Sequence, residues 1–187
     1  MKKLIIFIIL LLLISSNSFS SNYGEVLIKC RQEEIPYTFK ITYNDKKGES
    51  LLKNGSSISG FIIDDNNFHN TGTFNIFVSG SVPTFQVVEF KVSVGSFSIK
   101  DDNHFVVYDS EVHPYFVNLK SNDSKYLQSM NNYSIENSTE FVKRFFSFPG
   151  EILSNLKILS FDLKYKGKEK INAGIYSADL TISFRSC

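Results

Sequence analysis

The closing stretch of the chain constrains the fold most. From Tyr176 onward apolar side chains fall on every second position: Tyr176, Ala178, Leu180, Ile182 and Phe184. Between them stand Ser177, Asp179, Thr181 and Ser183, and Arg185 follows. Side chains on a β-strand point alternately to opposite faces, so this segment buries one face and wets the other. Ala173-Gly174 supplies a turn into it, and a cysteine, Cys187, closes the chain.

The same period recurs upstream. Glu25 to Arg31 places Val26, Ile28 and Cys30 on one face, and Ile35 to Tyr43 does the same with Tyr37, Phe39, Ile41 and Tyr43. Phe85 to Val94 turns Val88, Phe90, Val92 and Val94 inward, and Ile158 to Tyr165 turns Leu159, Phe161, Leu163 and Tyr165 inward. Phe61 to Ile63, Thr73 to Val78, Phe97 to Ile99, Phe105 to Tyr108 and Tyr115 to Leu119 read as shorter strands. Turn chemistry separates them: Asn44 to Gly48, Asn54-Gly55, Ser79-Gly80, Gly95, Lys100 to Asn103 and Lys166 to Lys170. Ser121 to Thr139, rich in Ser and Asn, reads as a long surface loop. Glu140 to Phe148 spaces Phe141, Phe145 and Phe148 as a helical turn would. Eight to ten short strands with no internal repeat predict an all-β, antiparallel sandwich or barrel.

Met1-Lys2-Lys3, the apolar run Leu4 to Ile14 and the small polar residues Ser15 to Ser21 have the form of a secretory signal peptide, cleaved after Ser20. The run is shorter than the roughly 20 residues a membrane-spanning helix needs. The expected organisation is therefore a signal peptide over 1–20 and one β-sandwich domain over 21–187, an exported chain whose mature part inserts in no membrane. Without Lys2 and Lys3 the chain carries 18 basic and 19 acidic residues, a balance that gives no footprint for nucleic acid. In an exported chain the two cysteines, Cys30 and Cys187, are expected to form a disulfide joining the first strand to the last. Such a cross-link would close a very long loop, worth about 4–5 kcal/mol in the chain-entropy picture. It favours a sandwich of immunoglobulin type.

No catalytic, metal or cofactor motif stands out. His69, His104 and His113 are dispersed, no G-x-S-x-G elbow occurs, and a Ser-His-Asp set could arise by chance in so Ser- and Asp-rich a chain. Asp64-Asp65 and Asp101-Asp102 lack EF-hand spacing and read as solvated turns. Sequons stand at Asn54, Asn122, Asn132 and Asn137. Tyr23, Tyr115, Tyr126 and Tyr133, in loops, are candidate contacts for a sugar or protein ligand, or ordinary packing residues.

Ala173-Gly174-Ile175-Tyr176 followed by Ala178, Leu180, Ile182 and Phe184 resembles the terminal strand of bacterial chaperone–usher fimbrial (pilus) subunits. The likeness covers about thirty C-terminal residues, with size and all-β pattern in accord. Ile28, Cys30 and Arg31 early and Cys187 late resemble the tip subunits, or invasins, of Afa/Dr-type adhesins. The resemblance implies an immunoglobulin-like fold lacking its last strand, completed by β-augmentation from a periplasmic chaperone and then from a neighbouring pilus subunit. It implies a strand-acceptor groove lined by Val26, Ile28, Tyr176, Leu180, Ile182 and Phe184, passage through the periplasm to the cell surface, and attachment to a host-cell receptor. Ser21 to Gly24 is too short for a donor arm of about ten extended residues. The implied role is therefore a tip or minor subunit that accepts a strand and donates none. The competing expectations are a free secreted β-sandwich binding carbohydrate or lipid, and a secreted hydrolase for which no cleft residues can be named.

Overall fold

The computed structural model of the chain describes residues 22–32, 35–121, 126–129 and 138–187. The expected signal peptide, most of the Ser121 to Thr139 loop, Tyr133 and the sequons at Asn122, Asn132 and Asn137 lie outside these residues. Among the described residues there are thirteen strands and no helix. In chain order they are β1 (Tyr23–Gln32), β2 (Tyr37–Asp45), β3 (Gly48–Leu52), β4 (Ser57–Ile62), β5 (Phe68–Ser81), β6 (Gln86–Val94) and β7 (Ser98–Lys100). There follow β8 (Val106–Asp109), β9 (Tyr115–Ser121), β10 (Leu127–Ser129), β11 (Glu140–Ser147), β12 (Ile152–Lys166) and β13 (Ile175–Ser186). The count exceeds the eight to ten read from the sequence because strands such as β3, exposed at four of its five residues, carry no apolar alternation.

Two sheets pack as a sandwich. The larger runs β10-β11-β6-β13-β1-β4, with β7 added against β13 and β8 against β7. The smaller runs β3-β2-β5-β12-β9. Phe, Tyr and branched side chains suit such half-buried pleated surfaces, and aromatic rings join the two layers. Phe39 of β2 stacks on Phe184 of β13 with centroids 4.1 Å apart. Phe161 of β12 meets Phe141 of β11 edge-on at 5.4 Å, and Phe145 meets Tyr37 at 5.9 Å.

The alternation of the last strand is realised in full: Tyr176, Ala178, Leu180 and Ile182 are completely buried and Phe184 nearly so. Its neighbours differ from the expectation. β1 lies along one flank of β13 in parallel, in register from Tyr23 opposite Ile175 to Gln32 opposite Phe184. β6 takes the other flank, antiparallel, from Leu180 opposite Val94 to Ser186 opposite Val88, and β7 adds a pair at Ser177. The sheet is thus antiparallel except for this one ladder among the described residues. The expected acceptor groove is corrected accordingly. Val26, Ile28, Tyr176, Leu180, Ile182 and Phe184 line a closed core, and β13 has no unpaired edge on which a donor strand could bond.

The same register corrects the disulfide. Cys30 stands opposite Ile182, five residues short of Cys187. At roughly 3.3 Å per residue the two cysteines lie about 16 Å apart, well beyond the ~7 Å that a disulfide can bridge between Cα atoms. Both are free thiols. Cys30 is half-buried, with its pKa pushed up by burial. Cys187 is exposed and donates its backbone N–H to Val87 O at 2.9 Å, on the β6 side of the strand.

Two local expectations also change. In place of the expected helical turn over Glu140 to Phe148, Glu140–Ser147 forms β11, pairing with β6 from Glu140 opposite Ser93 to Ser147 opposite Gln86. Phe141, Lys143, Phe145 and Ser147 point inward with period two. The polar Lys143 and Ser147 hid that period and left three phenylalanines at a helix-like spacing. In β9 the fully buried residue is Phe116, not its neighbours Tyr115 and Val117. Asn118, at φ 53°, sits at a register shift against β12 that reverses the alternation.

On the outer face of the larger sheet Asp179 of β13 ties three strands together. Its Oδ2 receives Lys29 Nζ of β1 at 3.0 Å and Lys100 Nζ of β7 at 2.6 Å. Burial opposes its charge, but the hydrogen bonds from Lys100 and Lys29 outweigh that and hold its pKa below the usual carboxylate value. A folded-state pKa below the unfolded one stabilises the fold above the unfolded value, about 3.9, and that contribution disappears as pH falls through the folded value. Urea unfolding of the parent between pH 6 and pH 2 should therefore show a loss of stability on acidification that is smaller in Asp179→Asn. Separately, Cys30→Ser/Cys187→Ser should melt within about 2 °C of the parent, with or without reductant. Loss of a native disulfide would instead cost roughly 2–5 kcal/mol, many degrees for a domain of this size.

Candidate functional site

One end of each sheet borders the same cleft: β4 ends the larger sheet there and β3 ends the smaller, their other ends being β10 and β9. The cleft measures about 500 Å³, within the usual range for small-molecule sites of roughly 300–1,000 Å³.

Two interruptions of the ladders shape it. On β4, Phe61 pairs with Gly24 and Ser59 with Glu25, so Gly60 has no partner on β1. Gly60 is a bulge at φ 92°, a conformation that side chains on Cβ disfavour. The extra residue brings Ile58 and Phe61 to the same inner side, where both pack on the core. On β5, Leu163 of β12 pairs with Gly72 and Lys164 with Asn70, so Thr71 is the extra residue. Thr71 is buried and gives its hydroxyl to Leu163 O at 3.1 Å. Gly72 at φ 137° lets β2 approach: a Cβ there would stand 2.7 Å from Asn44 O and 2.9 Å from the Tyr43 ring. Each bulge bends its strand, and the two bends face one another across the cleft.

The floor is aromatic. Tyr43 is buried, its ring 5.0 Å from Phe74, and its hydroxyl donates to Thr71 O. Burial first, and the Asp45 charge second, push its pKa up to about 12, so it remains a neutral donor. Phe61 is rooted against Phe97 and Tyr165, with centroids 6.4 and 6.3 Å away. The rim is polar. The β2–β3 hairpin turns through Lys46-Lys47, with Asp45 Oδ1 accepting the Lys47 backbone N–H at 2.7 Å. Asn70 Oδ1 accepts Gly72 N–H at 3.1 Å, leaving its NH₂ group open. Among the described residues no internal partner engages the ammonium groups of Lys46 and Lys47 or the hydroxyl of Ser59. The cleft therefore offers several free donors above an apolar floor.

The residues singled out from the sequence lie elsewhere. Asp65 accepts from His69 Nε2 at 2.7 Å and from Asn67, and Asp64 accepts the backbone N–H of Asn22, so both serve the β4–β5 turn. Asp101 Oδ1 accepts the N–H groups of Asn103 and Phe105. His104 and His113 are exposed. No group of three or more metal-ligating side chains occurs among the described residues. Tyr23 is exposed on β1, Tyr115 is half-buried on β9, and Tyr126 stacks on Phe145 at 5.9 Å. Asn54 is taken up structurally, its Oδ1 accepting Cys30 N–H at 2.9 Å. The sequence signal for the cleft was Ser59-Gly60 and Thr71-Gly72, glycines inside strand patterns, which mark bulges and close backbone approach.

The chain matches no protein-family model and no curated protein.

Because Gly72 holds β2 and β5 together at the cleft's end, Gly72→Ala should lower the melting temperature by several degrees through strain and overlap with Asn44 O. Gly60→Ala meets open space and carries only the backbone cost. Thermal melts of the two variants should rank Gly72→Ala as the more damaging.

Proposed function

We propose that this chain is an exported binding module whose cleft between β4 and the β2–β3 hairpin takes a carbohydrate. The observation that carries the reading is the pair of facing bulges at Gly60 and Thr71. They open a cleft with unengaged donors over an aromatic floor, between the end strand β4 of one sheet and the β2–β3 end of the other. Sugars present hydroxyls around their rims and C–H groups on their faces, which suits polar side chains arranged over Tyr43 and Phe61. Concave, largely pre-formed sites with a few placed polar groups are the usual form of small-ligand recognition. The cleft also shows no convergence of nucleophile, base and orienting group among its lining residues, the arrangement that hydrolysis would need. The leader-like opening, Lys2-Lys3 followed by Leu4 to Ile14, accords with an extracellular ligand.

A glycan array on the folded chain, followed by calorimetry with the best hits, tests this reading. Ser59→Ala and Asn70→Asp each remove a donor while Asp keeps the acceptor for Gly72 N–H. Each should weaken binding about 3- to 10-fold, the worth of one hydrogen bond of roughly 0.5–1.5 kcal/mol. Melting temperatures should remain near the parent's. Failure of every glycan to bind, or binding indifferent to both substitutions, would refute the assignment.

A further inference from the structure

We propose that β8 is a docking edge for an extended peptide segment of a partner protein, one with alternating apolar residues and basic flanks. Among the described residues β8 bonds to β7 alone, and its other side is open. Unpaired edges capture strands, and soluble proteins usually blunt them with lysine or proline. This edge is built instead from Phe105-Val106-Val107-Tyr108. Phe105 is 70%, Val106 58% and Val107 65% exposed, the one run of three consecutive large apolar residues left in solvent among the described residues. Val107 is itself bulged: Ile99 pairs with Tyr108 and Lys100 with Val106, so Val107 answers to no residue of β7.

The charge around this edge selects the occupant. Asp101 and Asp102 stand at one end and Asp109 at the other, all exposed. Asp101 is hydrogen-bonded to backbone N–H groups, and Asp109 to the Ser96 hydroxyl and Glu111 N–H, but among the described residues none of the three is in an ion pair. The nearby cations are committed: Lys100 to Asp179 at 2.6 Å, and Lys168 to Glu111. His104 and Tyr108 are the other titratable groups on the hairpin, His104 exposed and Tyr108 half-buried. A second copy pairing antiparallel would set Asp101 and Asp102 against Asp109, and a parallel copy would set like upon like. Charges of one sign across paired strands repel, and an anionic bilayer is repelled in the same way. A strand carrying Lys or Arg at both ends neutralises the two acidic ends, while its alternate apolar side chains cover Val106 and Phe105.

The test uses the full exported chain and labelled synthetic peptides with a Val-Thr-Val-Thr-Val centre, flanked by Lys-Lys or by Glu-Glu, followed by fluorescence anisotropy. The Lys-flanked peptide should bind at least about tenfold tighter at low salt, and the difference should shrink in 0.5 M NaCl, where screening is complete within a few ångströms. N-methylation of alternate residues should abolish binding by removing the backbone donors. Asp101→Asn/Asp102→Asn/Asp109→Asn keeps an acceptor for the Asn103, Phe105 and Glu111 N–H groups and lets the new amide at 109 donate to Ser96 Oγ in place of accepting from it, so it should melt near the parent yet lose the preference for Lys flanks. Equal affinity for the two peptides, or undiminished binding of the N-methylated one, would overturn the proposal. So would a dimer at neutral pH that Val107→Lys dissociates, which would make a second copy the occupant.

Discussion

The parallel ladder between β1 and β13 is the contact on which the rest of the molecule depends. It pairs ten consecutive residues of the first strand with ten of the last. Parallel ladders need a long connection, and here the connection is nearly the whole chain. The entropic cost of closing so long a loop grows only slowly with its length. It is offset by burying Val26 and Ile28 beside Tyr176, Ala178, Leu180 and Ile182, all without solvent exposure. By occupying that flank of β13, β1 makes the closing strand interior. The sheet's path then ends at β4 on one side and at β10 on the other, with β8 the outer strand of the β7 branch.

Face was legible in the sequence and neighbour was not. Alternation assigned the inward residues of β13 correctly, and Leu159, Phe161, Leu163 and Tyr165 of β12, because a period of two leaves one choice of buried side. It did not show that Leu153, Ile158 and Ser160 are buried too, near register shifts against β5. It is silent on which backbone lies alongside. An edge strand and a central strand covered on one face read alike, which is why β13 resembled the border of an open groove. The cysteines misled for a related reason. Their positions at the two ends of the chain suggested adjacency, and the first and last strands are indeed neighbours, but the register leaves Cys187 beyond the point where β1 turns away. β11 was missed because Lys143 and Ser147 occupy inward positions. The burial of Lys143 lowers its pKa, an unfavourable placement that tertiary pairing imposes and composition does not announce.

The cleft belongs to a class of feature that apolar patterning cannot display, since it arises where the pattern stumbles. One added residue on β4 and one on β5 break two ladders in different sheets, and packing sets the breaks face to face. Gly60 and Gly72 make those breaks tolerable: each holds a φ that other residues adopt at a cost, and Gly72 in addition leaves room for Asn44 and Tyr43. Glycine inside a strand forgoes side-chain packing and loses more chain entropy on folding. Two such residues at the same cleft are more economically explained by the shape they create than by the stability of either strand.

Near-neutral composition conceals a polarised surface. Lys46 and Lys47, whose ammonium groups meet no partner among the described residues, crown the cleft beside β4, whereas Asp101, Asp102 and Asp109 surround the apolar edge of β8. Four strand spacings separate β4 from β8, about 19 Å, which at physiological salt is more than two screening lengths. Each region therefore presents its own field to an approaching molecule, with little cancellation from the other. Between them Lys29 and Lys100 close on Asp179, while on β1 Glu25 accepts from the Ser177 hydroxyl and Arg31 is exposed. The proposed cleft ligand and the proposed strand would therefore meet the molecule at separate places, one between the two sheets and one at the β8 edge of the larger sheet.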